Sequence, residues 1–313
     1  MVIHRGLTAV KVDHKVVRDI DERVLIGTLG VNCLTYTRRC IESVKTKARH
    51  VTFLYIDNGS KPENVEQIEK WNKNNPNIDG FYMAFNGCNA GVAVGWNQII
   101  KYGVENGYTK ILICNNDIAF GQYTIDGMIE GFKTIKAEVP ETVMVTAANM
   151  TRNPSDLAII RPESSKRENP DFSCYMIEPS FIEKIGYICE DYQPAFFEDN
   201  DTHWRILLTG YKAFSTNLAP YSHIASRTRY ENPELVTHVK FRENRIKFMR
   251  NNLTRTVAQE GADARYANWI AKNPSVKHPT VKQVNDLAIS DGLITAETIN
   301  FLDNLTVETV KME

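Results

Sequence analysis

The sequence contains no run of roughly 18 consecutive apolar residues, the length a helix needs to cross a bilayer. Its N-terminal stretch carries no apolar core of the kind found in a secretion signal, so a cytoplasmic location is the expectation. Cysteine is sparse and scattered. Cys33, Cys40, Cys88, Cys114, Cys174 and Cys189 form no C-x-x-C pair and no close His/Cys grouping, which indicates neither a zinc site nor a disulfide framework and predicts reduced, mostly buried thiols. A surplus of one charge is missing too: 37 Lys and Arg stand against 38 Asp and Glu, so any attraction for a charged partner has to be local. The glycines at 87, 91 and 95 do not make G-x-G-x-x-G, and no Gly-Lys-Ser/Thr closes a P-loop. Dinucleotide-binding and NTPase readings lose their usual support.

What is present is an ordinary globular balance, 42% hydrophobic and 24% charged over 313 residues, enough for one large α/β domain plus an appendage. Val24 to Thr28 reads as a short buried strand, and Leu34, Ile41 and Val44 then recur at helical spacing. The pattern repeats. Val51 to Ile56 is a β-rich run, Asp57-Asn58-Gly59-Ser60 a turn, and Ser60-Lys61-Pro62-Glu63 a helix start with capping-box spacing. Phe81 to Phe85 precedes a helical face of Val92, Trp96, Ile99 and Ile100. Ile111 to Cys114 precedes the stripe Ile125, Met128, Ile129, Phe132 and Ile135, and Val143 to Ala147 is again strand-like. Such alternation predicts a mostly parallel sheet with helices on both faces.

Residues 151–171 are polar and proline-bearing and read as a loop or flap. Cys174 to Ile177 reads as a returning strand, Pro179 to Ile185 and Thr202 to Leu208 as short helices, and everything after about residue 233 as helical, broken near Gly261, Pro274 and Gly292. The expected division is 1–230 as an α/β catalytic domain (22–150 and 151–230 as its two halves) and 231–313 as a helical extension.

In open α/β sheets ligands gather at the carboxyl edge of the strands, because turn amides and helix N-termini point there. The polar groups just past the strands are Thr28, Asp57 with Asn58, the turn from Asn86 through Asn89 to Gly91, and Asn115-Asn116-Asp117. A second acidic cluster, Glu198-Asp199-Asn200-Asp201, follows Phe196 and Phe197. This layout suits a sugar diphosphate. A departing nucleoside diphosphate needs a hard cation, Mn2+ or Mg2+, held by one or two carboxylates together with the phosphates. Asp117 is the candidate metal ligand. A separate carboxylate must take the proton of an attacking hydroxyl from the opposite side, and Asp199 is the candidate.

Thr28, the Asp57 to Ser60 turn, the run from Asn86 and Asn89-Ala90-Gly91 to Asn97, Asn115-Asn116-Asp117, the Gly186 to Gly210 block with Phe-Phe-Glu-Asp-Asn-Asp, and His223 with Ser226 resemble the blocks of family-two inverting GT-A glycosyltransferases. The resemblance covers residues 22–228. It implies that Asp57 and Asn58 bind base and ribose, that Asp117 holds metal and diphosphate with His223 completing the shell, and that Asp199 of the Glu198-Asp199 pair is the base. Asn115 and Asn116 leave one carboxylate where Asp-x-Asp would have two, as in the rhamnosyl- and galactofuranosyl-transferase branch it looks like.

The implied donor is a nucleotide sugar, UDP-, dTDP- or related, and the implied acceptor a glycan, protein or modified nucleobase hydroxyl. Soluble relatives of this kind occur in bacteriophages, some of which glycosylate hydroxymethylated bases in DNA. Residues 227–255 carry Arg227, Arg229, Lys240, Arg242, Arg245, Lys247, Arg250 and Arg255 against Glu231, Glu234 and Glu243, a surplus of five positive charges. That run either steers a phosphate-rich acceptor or is a solvated helix face. Asp201, Trp204, Arg227 and Arg229 are the candidate acceptor contacts, with core packing the favoured reading for Trp204 and a structural role the alternative for His223. A sugar-nucleotide-binding protein without catalysis is the competing reading of another class.

Overall fold

The computed structural model describes residues 2–5, 18–69, 75–167, 170–224, 230, 232–235 and 237–310. Its first half alternates as the sequence predicts: β1 (Val2–Arg5), β2 (Ile20–Gly30), α1 (Leu34–Glu42), β3 (Ala48–Asp57), α2 (Pro62–Glu69), β4 (Gly80–Phe85), α3 (Val92–Glu105), β5 (Lys110–Asn115), β6 (Ile118–Phe120), α4 (Thr124–Glu138) and β7 (Thr142–Thr151). A 3-10 turn at Pro154–Ala158, β8 (Lys166–Arg167), β9 (Cys174–Ile177), α5 (Phe181–Lys184), α6 (Glu198–Leu208) and β10 (Lys212–His223) follow. The chain then continues in α7 (His238–Asn251), α8 (Glu260–Lys272), α9 (Val281–Ser290) and α10 (Ala296–Asp303).

Among the described residues the strands form one sheet in the order β1-β4-β3-β2-β5-β9-β7-β10-β6, with β8 on β10. The β4-β3-β2-β5 block is parallel, as expected. The other half is mixed: β9 runs antiparallel to both β5 and β7, while β7 and β10 are parallel. Period-two alternation sends each strand's side chains to two cores. Val24, Ile26, Phe53, Tyr55, Leu112 and Cys114 join Cys40, Ile68, Met128 and Phe132 from α1, α2 and α4. Leu25, Leu54, Ile56, Ile111 and Ile113 join Trp96, Ile99, Phe181 and Ile206 from α3, α5 and α6. Helices therefore cover both faces. Of the six thiols, Cys33, Cys40, Cys114 and Cys174 are buried and Cys88 is exposed.

A third core lies on the far side of α6. Trp204, Leu207 and Leu208 pack against Ile246, Phe248 and Met249 of α7, Ala262 and Trp269 of α8, and Val284 and Leu302 beyond. Gly261 does not break a helix as the sequence suggested. It sits in the first turn of α8, where an added Cβ would come 3.0 Å from the Trp204 ring. Arg265 ties this core together, donating to the carbonyls of Asn252 and Leu253 and to Asn285 Oδ1. No helix among the described residues is long and apolar enough to cross a membrane.

Candidate active site

Parallel register aligns the carboxyl ends of the central strands, with Gly30 opposite Asp57 and Leu29 opposite Asn115. Above that edge lies a cavity of about 370 Å³, within the range of roughly 300–1,000 Å³ usual for small-molecule sites. Asn58, Asn89, Asn115, Asn116, Asp117, Glu198, Asp199 and His223 line it, all of them predicted from sequence. Asp171, Phe172, Ser173, Trp96, Leu235 and the Pro194-Ala195 segment line it too.

Asp117 and His223, 106 residues apart, meet because β6 pairs antiparallel with the end of β10, His223 opposite Ile118. His223 Nε2 lies 3.1 Å from Asp117 Oδ1, and the Ile224 amide donates to the Asp117 carbonyl. The neighbouring Asn116 donates its amide to Thr37 Oγ1 at 3.0 Å. Gly30 leaves room for that contact, since a Cβ there would stand 2.9 Å from Asn116 Nδ2.

The start of α6 lines the same cavity. Phe196 and Phe197 both take positive φ, 78° and 75°, a conformation that costs of order 1–3 kcal/mol per residue and concentrates at functional sites. Both rings meet Phe241 of the helical core, Phe196 edge-on while also lining the cavity, and Phe197 goes on to Phe248. The kink lets the helix begin at Glu198, four residues before the sequence signal at Thr202, with Glu198, Asp199 and Asp201 in its first turn, where the helix dipole favours carboxylates. Asp199 Oδ1 accepts the Asn200 amide at 2.8 Å. Burial pushes the Asp199 carboxyl above its ordinary range, and the charge of Asp171 adds to the push. Burial, then the charge of Asp199, drives Glu198 up much further.

Asp171 was not legible as a site residue. Its carboxylate accepts the Ser173 amide and hydroxyl at Oδ1 and the Tyr221 hydroxyl at Oδ2. The Asn115 amide bonds to the Ser173 carbonyl, which brings this segment to the end of β5. The predicted flap at 151–171 thus delivers one carboxylate to the cavity.

Several predicted contacts are built into the scaffold instead. Thr28 is fully buried and donates to the Cys114 carbonyl, binding β2 to β5 beneath the rim. Asp57 is spent on its own turn, accepting the amides of Gly59 and Ser60. Asn86 exchanges hydrogen bonds with Gln98 and donates to Asn58 Oδ1, and the Gly91 carbonyl accepts from Asn58, so both hold Asn58 in place. Gly91, at φ 90°, also leaves room for Gln193, whose Oε1 would lie 2.0 Å from an added Cβ. Asn97 points away from the cavity: its carboxamide accepts from the Ile188 amide and donates to the Ile188 carbonyl and Glu190, clipping that loop to α3.

The acceptor contacts are corrected more sharply. Trp204 is 1% exposed and stacks edge-on with Phe248. Asp201 pairs with Arg205 at 2.9 Å and accepts from Tyr192 and Asn252. Arg227, Arg229 and Ser226 lie outside the described residues. Much of the basic run is used internally. Lys240 pairs with Glu243, Lys247 donates to the Asp191 carbonyl, Arg250 caps the carbonyls of Leu302 and Leu305, and Arg255 pairs with Glu297.

The cavity wall carries four carboxyl groups, Asp117, Asp171, Glu198 and Asp199, and no described Lys or Arg. A diphosphate entering it needs a cation. No group of three or more His, Cys, Asp or Glu among the described residues could hold a metal alone. The Asp117–His223 pair fits an ion whose remaining ligands are phosphate oxygens and water.

No family model and no curated protein matches the chain. Solved structures do. The mannosyltransferase PcManGT from Pyrobaculum calidifontis, in complex with GDP-Man and Mn2+, superposes with a TM-score of 0.55 at 11% identity over 95% of this chain and 86% of its own. GalNAc-T7 with UDP, GalNAc and Mn2+ gives 0.52 at 10% identity over 88% of this chain and 58% of its own. S. aureus TarS gives 0.52 at 12% identity over 81% and 44%. The chain thus spans well under two thirds of the latter two. What it shares with these structures is the fold, that of the GT-A glycosyltransferases.

Proposed function

We propose that the chain is a divalent-metal-dependent glycosyltransferase that moves a sugar from a nucleotide-sugar donor to an acceptor hydroxyl, inverting the anomeric centre. The observation that carries this reading is that Asp117, His223 and Asp199 line one cavity. Bound Mn2+ or Mg2+ supplies electrostatic stabilisation of the departing diphosphate. Asp117 and His223 are the residues that would hold it, while Asn89, braced by the fully bonded carboxamide of Asn58, is the contact we assign to the nucleoside of a UDP-, dTDP- or related donor. Asp199 takes the proton of the acceptor oxygen as that oxygen attacks. Its upward-shifted pKa makes it a stronger base than an exposed aspartate. The GDP-Man, UDP and Mn2+ present in the structural neighbours support the donor class and the metal.

The acidic cavity wall disfavours a polyanion such as phage DNA carrying hydroxymethylated bases. We therefore place the acceptor among neutral glycan hydroxyls. Residues 1–230 form the catalytic unit in this reading, and 231–313 brace α6. The test is a panel of nucleotide sugars incubated with Mn2+ and candidate acceptors, with NMR of the product linkage. Transfer with inversion is expected. Retention would refute direct displacement by the acceptor oxygen with Asp199 as its base, and tight donor binding with no turnover would favour a non-catalytic sugar-nucleotide-binding protein.

A further inference from the structure

Two residues that line the cavity carry buried polar atoms with no hydrogen-bond partner among the described residues, Trp96 Nε1 and Glu198 Oε2, and the Tyr175 hydroxyl is a third such atom in the layer behind them. Trp96 and Glu198 line the cavity with Phe172 and are 3% and 5% exposed. The fully buried Tyr175 ring meets Trp96 edge-on at 5.4 Å and lies 5.4 Å from Phe172. Leaving even one such atom unpaired is costly, and native cores contain few. Two on side chains that line a cavity, framed by aromatic rings, look to a ligand with apolar faces and polar edges. A sugar ring has that character.

We propose that Trp96 and Glu198, with the Tyr175 ring packed behind Trp96, form the subsite for the transferred sugar, gripping one of its hydroxyls and selecting hydroxylated over deoxygenated sugars. This rests on the glycosyltransferase reading and deepens it. The transferred sugar must lie between the pair that holds the metal, Asp117 and His223, and the base Asp199. Glu198 immediately precedes that base on the same wall. The donor and acceptor chemistry narrows the ligand. Indole Nε1 only donates, so the ligand atom must accept, which excludes an ammonium group. Burial and the neighbouring Asp199 charge keep the proton on Glu198, so it too can donate. A sugar carboxylate would face Asp171 and Asp199 on the same wall, whereas a hydroxyl meets no such repulsion. The Glu-Asp pair therefore divides its labour: Glu198 positions the sugar, Asp199 handles the proton.

The test uses the full chain with Mn2+, free UDP and GDP, and the nucleotide sugar the wild type hydrolyses alongside its singly deoxygenated analogues. Calorimetry and kcat/KM are the readouts. One deoxygenated position is expected to lose about tenfold to a hundredfold in kcat/KM, because removing that hydroxyl strands the buried donors again. Trp96→Phe and Glu198→Met should flatten that preference while binding the free nucleoside diphosphate as the wild type does. Glu198→Gln, which keeps a neutral donor, should retain it, and this near-isosteric variant guards against misfolding of the others. Analogues all within about threefold of the parent donor would overturn the subsite. So would variants that lose free nucleoside diphosphate and donor affinity in equal measure. A wild type that binds no nucleoside diphosphate at all would instead overturn the glycosyltransferase reading beneath it.

Discussion

Asp199→Asn isolates proton transfer from binding. The amide has nearly the volume of the acid, and its Oδ1 can still accept the Asn200 amide, a bond of 2.8 Å in the wild type. Only the basicity disappears. General-base catalysis contributes about 10²–10⁴ in rate, so transfer should fall by that factor while donor affinity stays within about threefold. The pH profile adds a second constraint. Asp199 works ionised, and burial followed by repulsion from Asp171 raises its pKa. The acid limb of kcat/KM should therefore lie above the ordinary aspartate range near 3.9, with rate rising as pH rises through it. Asp171→Asn removes the repulsive charge, keeps an oxygen that can accept from Ser173 and turns an amide nitrogen that can only donate toward the Tyr221 oxygen, so the limb should move to lower pH. The assay is transfer to acceptor followed from about pH 4 to 9, a window that brackets the carboxylate and imidazole ranges. Unchanged turnover in Asp199→Asn, or an acid limb that ignores Asp171→Asn, would refute the base assignment.

Glu198→Gln should change the pH dependence of stability. A carboxyl whose folded pKa is raised loses stability as pH climbs from its unfolded value toward its folded one, because the unfolded chain ionises first. The variant escapes that loss, so its melting temperature relative to wild type should rise between pH 4 and neutrality, a start set near the unfolded Glu pKa of about 4.3; a pH-independent difference would contradict the burial argument. Trp204→Ala should destabilise by about 3–5 kcal/mol, the usual cost of emptying a buried Trp site, measurable by urea unfolding; a loss under about 1 kcal/mol would contradict its place between α6 and the terminal helices. Arg265→Met strands the carbonyls of Asn252 and Leu253 and should cost about 2–4 kcal/mol on the same assay, with native stability refuting the tie.

The parallel half of the fold was legible because its strands are short apolar runs between turn signals, and strand-then-helix order leaves few topologies. β10 was not. Its sequence, Lys212–His223, mixes polar residues with Pro220 and carries register shifts between Thr216 and Pro220, so no clean alternation survives. β6 is three residues long, too short for a periodic signal. Those two strands bring His223 to Asp117, so His223 came from family likeness and not from pattern, whereas Asp117 was readable from its place just past β5. Asp171 was hidden for a related reason: a polar loop says nothing about where it ends until β9 pairs antiparallel with β5. Asn97 shows the opposite error. Its place in the motif suggested a ligand contact, yet its position on α3 directs it to Ile188 and Glu190. For Trp204 the helical spacing beside Leu207 and Leu208 favoured core packing over an acceptor contact, and the third core holds it.

The central claim is that a divalent ion held by Asp117 mediates departure of the nucleoside diphosphate from a cavity otherwise lined by acid. Its most direct measurement is release of nucleoside diphosphate from the preferred donor as Mn2+ is titrated, for wild type and Asp117→Ala. The account predicts saturable metal activation in the wild type, abolished by EDTA, and no activation in the variant. Equal release by both proteins, or release indifferent to Mn2+, would contradict it.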